Sequence, residues 1–256
     1  MTDTSLSCVR LASASSAPVL VLGPSLGTST AVWAAVAERL AADFTVVSWD
    51  LPGHGASAAR TSPFHLADLA DEVSALTDAD EYFYAGVSLG GAVGLHLALR
   101  DKRMRGLAAL CTGAIIGTPA GWHERAALVR ASGTTTLVEA SRQRWFAPGD
   151  LTPSEQHLLE QLPSIDDESY ALSCEALARH DVRSELPRIA VPVLAAWGEH
   201  DLVTPAASAE EIAQGVPAGR TERIPAAGHL PPVEQPDAVA SLLRAFFGAL
   251  QPPASA

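Results

Sequence analysis

The 256-residue sequence has few cysteines, no long apolar run and a deficit of basic residues. Its three cysteines, Cys8, Cys111 and Cys174, are odd in number and scattered. Neither a disulfide framework nor a C-x-x-C metal site is therefore predicted, and each cysteine is expected to be a buried small side chain. No apolar run approaches the roughly 20 residues that span a bilayer, and the first residues lack the basic region of a signal peptide. We expect a cytoplasmic protein with no bound metal and no membrane partner.

The charge balance disfavours a nucleic-acid partner. The chain has 17 Lys and Arg against 29 Asp and Glu, a formal net charge of −12, whereas nucleic-acid phosphates demand a basic surface. An anionic small molecule would also be repelled by the overall field, so a local arginine would have to attract it. Nothing in the sequence predicts an oligomeric state.

Apolar runs that alternate with helical patterns predict an α/β fold with a mostly parallel central sheet flanked by helices. The length and the 48% hydrophobic content suit one large α/β domain with a small insertion. Strands are predicted at residues 19–23, 44–49, 82–86, 104–111, 191–197 and 220–224. Helices are predicted at residues 31–40, 65–76, 92–99 and 236–250.

One long segment departs from this alternation. Residues 112–186 have a helical period, several prolines and no convincing strand. We predict that they form a helical cap inserted between two strands, and that residues 1–111 and 187–256 together form the α/β core.

The most informative motif is the G-x-S-x-G pentapeptide at residues 86–90, between a predicted strand and a predicted helix. This context is typical of the nucleophile elbow of the α/β-hydrolase fold, in which a serine lies on a sharp, strained turn. Glycines two positions to either side let the strand and helix backbones approach each other. Ser88 is thus the candidate nucleophile; the alternative is a glycine-rich turn with a solvated serine.

A serine nucleophile needs a base to accept its proton and a carboxylate to orient that base. In this fold the chain order is serine, acid, histidine. Asp201, just past a predicted strand, and His229, just before the last helix, occupy the matching positions. Glu199 and Asp237 remain alternative acids. The other seven histidines are expected to have surface or structural roles.

Acyl transfer also needs donors to the developing oxyanion. The backbone amide of Leu89, immediately after the serine, is the first candidate. The second is the amide of Leu26, in the loop after the first central strand, whereas Gly27 and Thr28 are expected to form a turn and a helix N-cap. Residues 50–57 follow a strand and are rich in glycine, but they lack the Lys-Ser/Thr of a P-loop, so a structural turn is predicted.

With these residues in place, the chain resembles the α/β-hydrolase superfamily over its whole length, and within it the 3-oxoadipate enol-lactonases. The superfamily motifs are Asp-Leu-Pro-Gly-His-Gly-Ala-Ser at 50–57, Gly-Val-Ser-Leu-Gly-Gly at 86–91, Gly-Glu-His-Asp at 198–201 and Ala-Gly-His at 227–229. The narrower resemblance rests on Ser-Leu-Gly-Thr at 25–28, the cap segments 116–122 and 144–148, and Val-Glu-Gln-Pro at 233–236.

The resemblance implies an enzyme that opens the enol-lactone of the β-ketoadipate pathway of aromatic catabolism without a cofactor. Ser88 would attack the lactone carbonyl, His229 would take its proton and Asp201 would stabilise the imidazolium. Other capped hydrolases, such as carboxylesterases and carbon–carbon bond hydrolases of ring-cleavage products, are the rival enzymes. A non-catalytic receptor for a small ligand is the alternative of a different class.

The lactone implied by the resemblance carries a free carboxylate, so a cation is expected in the pocket. Arg144, in the cap, is the leading candidate. Trp122 and Trp145 are predicted to form walls of the pocket, with packing between cap and core as the alternative. Three other cap arginines compete with Arg144: Arg125, Arg130 and Arg142.

Overall fold

A seven-stranded sheet forms the centre of the computed structural model, which describes residues 6–12 and 17–251. The strand order is β1-β3-β2-β4-β5-β6-β7, with β1 antiparallel to β3 and every other neighbouring pair parallel. Because the parallel strands run in one direction, the loops at their carboxyl ends meet at one edge of the sheet. The strands are β1 (Cys8–Ala12), β2 (Val19–Gly23), β3 (Thr45–Trp49), β4 (Tyr82–Val87), β5 (Met104–Leu110), β6 (Val193–Gly198) and β7 (Gly219–Ile224).

Burial follows position in the sheet. The central strands β3 and β4 are buried along their whole length, as expected for parallel strands covered on both faces. The edge strands β1 and β7 are largely exposed. Cys8, on β1, is exposed, so the prediction that each cysteine is buried is wrong for Cys8 and confirmed for Cys111 and Cys174. Strand β1 was not predicted from the sequence, because it is only five residues long and Arg10 interrupts its apolar residues.

Helices cover both faces of the sheet. Phe83 and Tyr84 are adjacent on β4, so their side chains point to opposite faces. Phe83 stacks on Phe247 of α10, with ring centroids 4.8 Å apart, and the Tyr84 hydroxyl donates to the Gly90 carbonyl of α3 at 2.9 Å. The helices outside the β5–β6 connection are α1 (Ala34–Leu40), α2 (Leu66–Ser74), α3 (Leu89–Arg100), α8 (Ala206–Gly215), α9 (Pro231–Glu234) and α10 (Pro236–Gly248).

The long connection between β5 and β6 is helical and contains no strand. Within it, Arg130 of one helix pairs with Glu168 and Glu175 of another, which ties the first and last helices together. The main helices of this cap are α4 (Pro119–Ser132), α5 (Val138–Trp145), α6 (Pro153–Gln161) and α7 (Asp167–Ala178).

The predicted α/β-hydrolase fold is confirmed by this arrangement. Most predicted elements agree with the structure to within a few residues, but the helix predicted at 31–40 begins with a 3₁₀ turn at Thr30–Trp33. The helix predicted at 92–99 begins earlier, directly after Ser88. None of the helices in the described part of the chain has the length and hydrophobicity to cross a membrane.

Candidate active site

Ser88 lies on a strained turn between β4 and α3. Its backbone angles, φ 56° and ψ −119°, are in a region that residues with a side chain seldom adopt. The turn is tight because the elbow glycines touch backbone: a Cβ on Gly90 would lie 2.5 Å from the carbonyl carbon of Gly23. Such a turn holds the serine hydroxyl at the carboxyl edge of the sheet, as the G-x-S-x-G motif predicts.

His229 and Asp201 form a buried hydrogen-bonded pair. The His229 Nδ1 atom lies 3.0 and 3.1 Å from the two carboxylate oxygens of Asp201. The Asp201 carboxylate also accepts from the Thr204 hydroxyl at 2.7 Å and from the Val203 amide at 2.7 Å. Burial acts to raise the pKa of Asp201, but the His229 charge and these hydrogen bonds outweigh it and lower the pKa. The carboxylate is therefore ionised at neutral pH and can orient the imidazole.

The two alternative acids lie elsewhere. Glu199 pairs with Arg223 and accepts from the Ala226 amide at 3.0 Å. The side chain of Asp237 is 86% exposed and pairs with Arg39. In the part of the chain that the structure describes, neither carboxylate forms a hydrogen bond or ion pair with His229, which leaves Asp201 as its acidic partner.

Cys111 lies beside this pair, next to the loop that carries His229. Its buried thiol faces the Gly228 carbonyl at 3.8 Å, and its Sγ, the Asp201 carboxylate and a His229 ring nitrogen lie within 4.8 Å of one another. Thiolate is the form that binds metal, yet burial raises the pKa of this thiol well above its ordinary value. The Asp201 carboxylate is also already saturated with hydrogen bonds, so these groups do not favour a metal ion.

Leu26 lies in a loop that is hydrogen-bonded to the nucleophile elbow, residues 86–90. The Gly90 amide donates to the Pro24 carbonyl at 2.9 Å, and the Thr28 amide and hydroxyl both donate to the Ser25 carbonyl. Leu26 lines the same cavity as Ser88. Leu89 is the first residue of α3, where a backbone N–H has no partner within the helix. The amides predicted as oxyanion donors therefore belong to two segments held against each other.

His54 supports this loop, a role that the sequence analysis did not identify. Its Nε2 atom accepts from the Gly27 amide at 3.2 Å, and its Nδ1–H donates to the Pro52 carbonyl at 2.8 Å. Burial lowers the pKa of His54 to about 4, so the ring is neutral and Nε2 stays an acceptor. Its ring also stacks on Tyr170 of α7. The turn at 50–57 is structural, as predicted, but it positions the loop that carries Leu26.

A narrow cavity of about 20 Å³ separates the serine from the cap. Core and cap both contribute to its walls. The residues that line it are Ser25, Leu26, Ser88, Trp122, Arg125, Ser141, Arg144, Trp145, Val203 and His229. The structure thus brings all the predicted substrate-binding residues to the serine, together with the competing Arg125.

The four candidate arginines divide into two groups. Arg125 and Arg144 line the cavity, and neither forms an ion pair with an acidic residue of the described chain. Burial, followed by the nearby Arg125 guanidinium, lowers the pKa of Arg144. Arg130 is neutralised by two glutamates, and Arg142 lines a separate surface groove. The cavity therefore holds two neighbouring cations without a counter-ion.

The two predicted tryptophans are held by different contacts. Trp122 donates from its indole nitrogen to the Ile116 carbonyl, and the Arg125 guanidinium lies 5.6 Å from its ring centroid. Trp145 is buried, and its carbonyl accepts from the amides of His229 and Leu230. Both tryptophans line the cavity, and both also pack against the hydrophobic core. A role as cavity wall and a role in packing between cap and core are therefore compatible.

The chain belongs to the α/β hydrolase family, whose model matches residues 19–242. A 3-oxoadipate enol-lactonase of Acinetobacter baylyi is 34% identical over 228 residues, which cover 86% of this chain and 85% of the relative. The crystal structure of an enol-lactonase from Burkholderia xenovorans superimposes with a TM-score of 0.91 at 32% identity, covering 96% of this chain and 98% of that one.

Relatives with a different activity also match along most of the chain. A pimeloyl-[acyl-carrier protein] methyl ester esterase of Vibrio vulnificus is 27% identical over 90% of this chain and 94% of its own length. Family membership thus defines a hydrolase, and the substrate has to be argued from the cavity.

Proposed function

We propose that this protein is a serine hydrolase that opens 3-oxoadipate enol-lactone to 3-oxoadipate, a step of the β-ketoadipate pathway of aromatic catabolism. The observation that carries this proposal is the pair of cavity arginines, Arg125 and Arg144, without acidic partners beside Ser88. Two unpaired guanidiniums favour a substrate with a carboxylate. The similarity to enol-lactonases supplies the rest of the substrate's structure.

In the first half of the reaction, Ser88 Oγ attacks the lactone carbonyl and passes its proton to the free ring nitrogen of His229. Asp201 holds the other ring nitrogen and stabilises the imidazolium. The amides of Leu26 and Leu89 stabilise the negative charge on the carbonyl oxygen. Collapse of the tetrahedral intermediate breaks the ring C–O bond and expels an enolate, which takes the proton from the His229 imidazolium; the resulting enol rearranges to the ketone, and His229 is neutral again.

In the second half, His229 removes a proton from water, and the resulting nucleophile attacks the acyl-serine. The ester bond to Ser88 breaks, the serine oxygen regains a proton from His229, and the new carboxylate leaves. One water is consumed, and the mechanism requires no cofactor. The ketoacid product bears two carboxylates, and the cavity holds two arginines.

Substrate access requires the cavity to widen. The cavity beside Ser88 has a volume of about 20 Å³, which is enough for about one water molecule and too small for a lactone. Arg144 is an exposed residue and Trp122 is partly exposed, whereas Ser88, His229 and Trp145 are buried. We infer that the side chains of Arg144 and Trp122 move to admit the substrate, since displacing them disturbs the least packing.

A panel of substrates tests the proposal. The purified protein is assayed side by side with 3-oxoadipate enol-lactone, simple lactones, p-nitrophenyl esters, methyl esters and ring-cleavage dienoates. The proposal predicts that kcat/KM for the enol-lactone exceeds every other value by orders of magnitude. A preference for neutral esters would assign the chain to the esterases instead, and binding without turnover of any compound would support the receptor alternative.

A further inference from the structure

The histidine loop, residues 228–230, is bound to the cap by backbone hydrogen bonds. The amides of His229 and Leu230 donate to the Trp145 carbonyl at 2.8 and 3.2 Å. A Cβ on Gly228 would lie only 2.7 Å from the Ala147 amide nitrogen, so the two segments are in direct backbone contact. The base and the cap segment that carries Arg144 are therefore neighbours.

Glu234 lies where these two segments meet. Its carboxylate accepts from the Ala147 amide at 2.7 Å, from the Gly228 amide at 2.8 and 2.9 Å, and from the Leu230 amide at 3.1 Å. One carboxylate thus binds the cap on one side and both neighbours of His229 on the other. Four hydrogen bonds to one carboxyl group hold three backbone amides at fixed positions, so this cluster is well suited to fix geometry.

The partners of the Glu234 carboxyl group are backbone amides. No lysine, arginine or histidine within residues 6–12 and 17–251 forms an ion pair with it. A surface glutamate would instead be solvated or paired with a flexible cation. In the sequence, Glu234 stands out only as part of the family resemblance at 233–236. No local pattern indicates which backbone amides its carboxylate binds.

We propose that Glu234 is a positioning residue that aligns His229 with Ser88 and couples this alignment to the cap segment 144–147. The inference rests on the proposed serine hydrolase function. Glu234 does not touch the reacting atoms; it acts through the backbone on both sides of the base. A small displacement of a catalytic group is enough to lower a rate by one or two orders of magnitude.

The test compares E234Q and E234A with E199Q. Glu199 is a suitable control because it binds the same connection at Ala226, and its carboxylate forms no hydrogen bond or ion pair with residues 228–230 or with the cap within the described residues. E234Q keeps the size of the side chain but replaces one acceptor oxygen with an NH₂ group. This NH₂ group would face backbone N–H groups, which are also donors, so at least one hydrogen bond is lost. Each variant is labelled with a fluorophosphonate, which reacts with an activated serine whatever the natural substrate.

Labelling yields two separate quantities. The amplitude reports the folded fraction, and the rate constant reports how well His229 activates Ser88. We expect the rate constant to fall about tenfold or more in E234Q and further in E234A, with E199Q within twofold of wild type. For the enol-lactone, we expect kcat to fall and KM to rise, since Arg144 shifts with the cap segment.

Two results would overturn the inference. A wild-type rate constant with a reduced amplitude in E234Q would show a role in stability alone, and an equal loss in E199Q would show a general effect of the loop. If both Glu234 variants fail to fold, A147P removes one of the amide donors while leaving Glu234 intact. Phe146 already has the extended backbone, φ −116° and ψ 151°, that precedes proline.

A wild-type rate constant and unchanged kinetics in A147P would likewise contradict the coupling to the cap. The failure of the proposed function would look different, because the wild-type protein itself would then resist labelling and hydrolyse none of the panel compounds.

Discussion

The Nδ1 atom of His229 lies 3.0 Å from the Asp201 carboxylate, while the same imidazole lines the cavity beside Ser88. Asp201 comes from the loop after β6, and His229 from the loop after β7. Their contact exists because neighbouring parallel strands end at the same edge of the sheet.

Ser88→Ala should abolish turnover of the enol-lactone and labelling by the fluorophosphonate, because the nucleophilic oxygen is removed. The fold should be retained, since alanine occupies the same space without the hydroxyl. Circular dichroism and thermal unfolding check the fold, and a continuous assay of lactone loss checks the activity. Turnover at the wild-type rate would exclude Ser88 as the nucleophile.

Asp201→Asn should lower kcat by roughly 10³- to 10⁴-fold, because the amide no longer stabilises the imidazolium and favours the wrong tautomer of His229. The Val203 amide can still donate to the side-chain oxygen, so a folded protein is expected. Glu199→Gln is the control, as Glu199 is the nearest competing acid in sequence. A large loss in that control, with near-normal activity in the Asp201 variant, would reverse the assignment.

Arg144→Ala and Arg125→Ala should each lower kcat/KM for the anionic lactone by roughly 10- to 100-fold, the range for losing a hydrogen bond to a charged group. The effect on a neutral p-nitrophenyl ester should be much smaller. Arg142→Ala is the matched control, since Arg142 lies on the same helix as Arg144 but lines a different groove.

Equal losses on the anionic and neutral substrates would remove these arginines as carboxylate ligands. A loss in Arg144→Ala but not in Arg125→Ala would assign the carboxylate to Arg144 alone, as the sequence analysis favoured.

His54 should make the stability of the protein depend on pH between 4 and 6.5. Its pKa falls from 6.5 in the unfolded chain to about 4 in the buried site, so the unfolded state binds more protons in this window. Stability is therefore present above pH 6.5 and lost as the pH falls to 4, by on the order of 3 kcal/mol. His96, whose pKa burial also lowers to about 4, acts in the same direction.

Urea unfolding of wild type, H54Q and H123Q at several pH values measures this dependence. The H54Q variant should lose less stability on acidification than wild type, and H123Q, a change at an exposed position, should match wild type. Glu234 acts oppositely between pH 4.5 and 7, because burial raises its pKa to about 7, and this contribution is common to all three proteins. Identical slopes for H54Q and wild type would contradict the prediction.

Much of the core could be predicted from sequence because its signals are local. Buried parallel strands such as β4 are continuous apolar runs, and the elbow at Ser88 is marked by glycines whose positions follow from backbone contact. The strand β1 was missed for the converse reason: it is an exposed edge strand, stabilised by pairing with β3 and not by a pattern of its own.

The candidate functional residues also divide into those that local motifs indicate and those that only the folded structure identifies. Ser88, Asp201 and His229 could be nominated from motif and chain order, because the fold places each at a strand end. The choice between Asp201 and Glu199 was decided by the structure, since only the contact with His229 separates two carboxylates two residues apart. Likewise, the sequence favoured Arg144 among four candidate cap arginines, and only the packing of α4 against α7 shows that the competitor Arg130 is neutralised.

The sequence by itself determined the fold class, the serine elbow and the chain order of the candidate nucleophile, acid and base, because these depend on neighbouring residues and on strand order. Only the tertiary structure decided the long-range relationships: His54 beneath the loop of Leu26, two unpaired arginines over Ser88, and Glu234 between the base and the cap. Each of these depends on which backbone amides and charges come within about 3 to 6 Å after folding, a distance that no local pattern encodes.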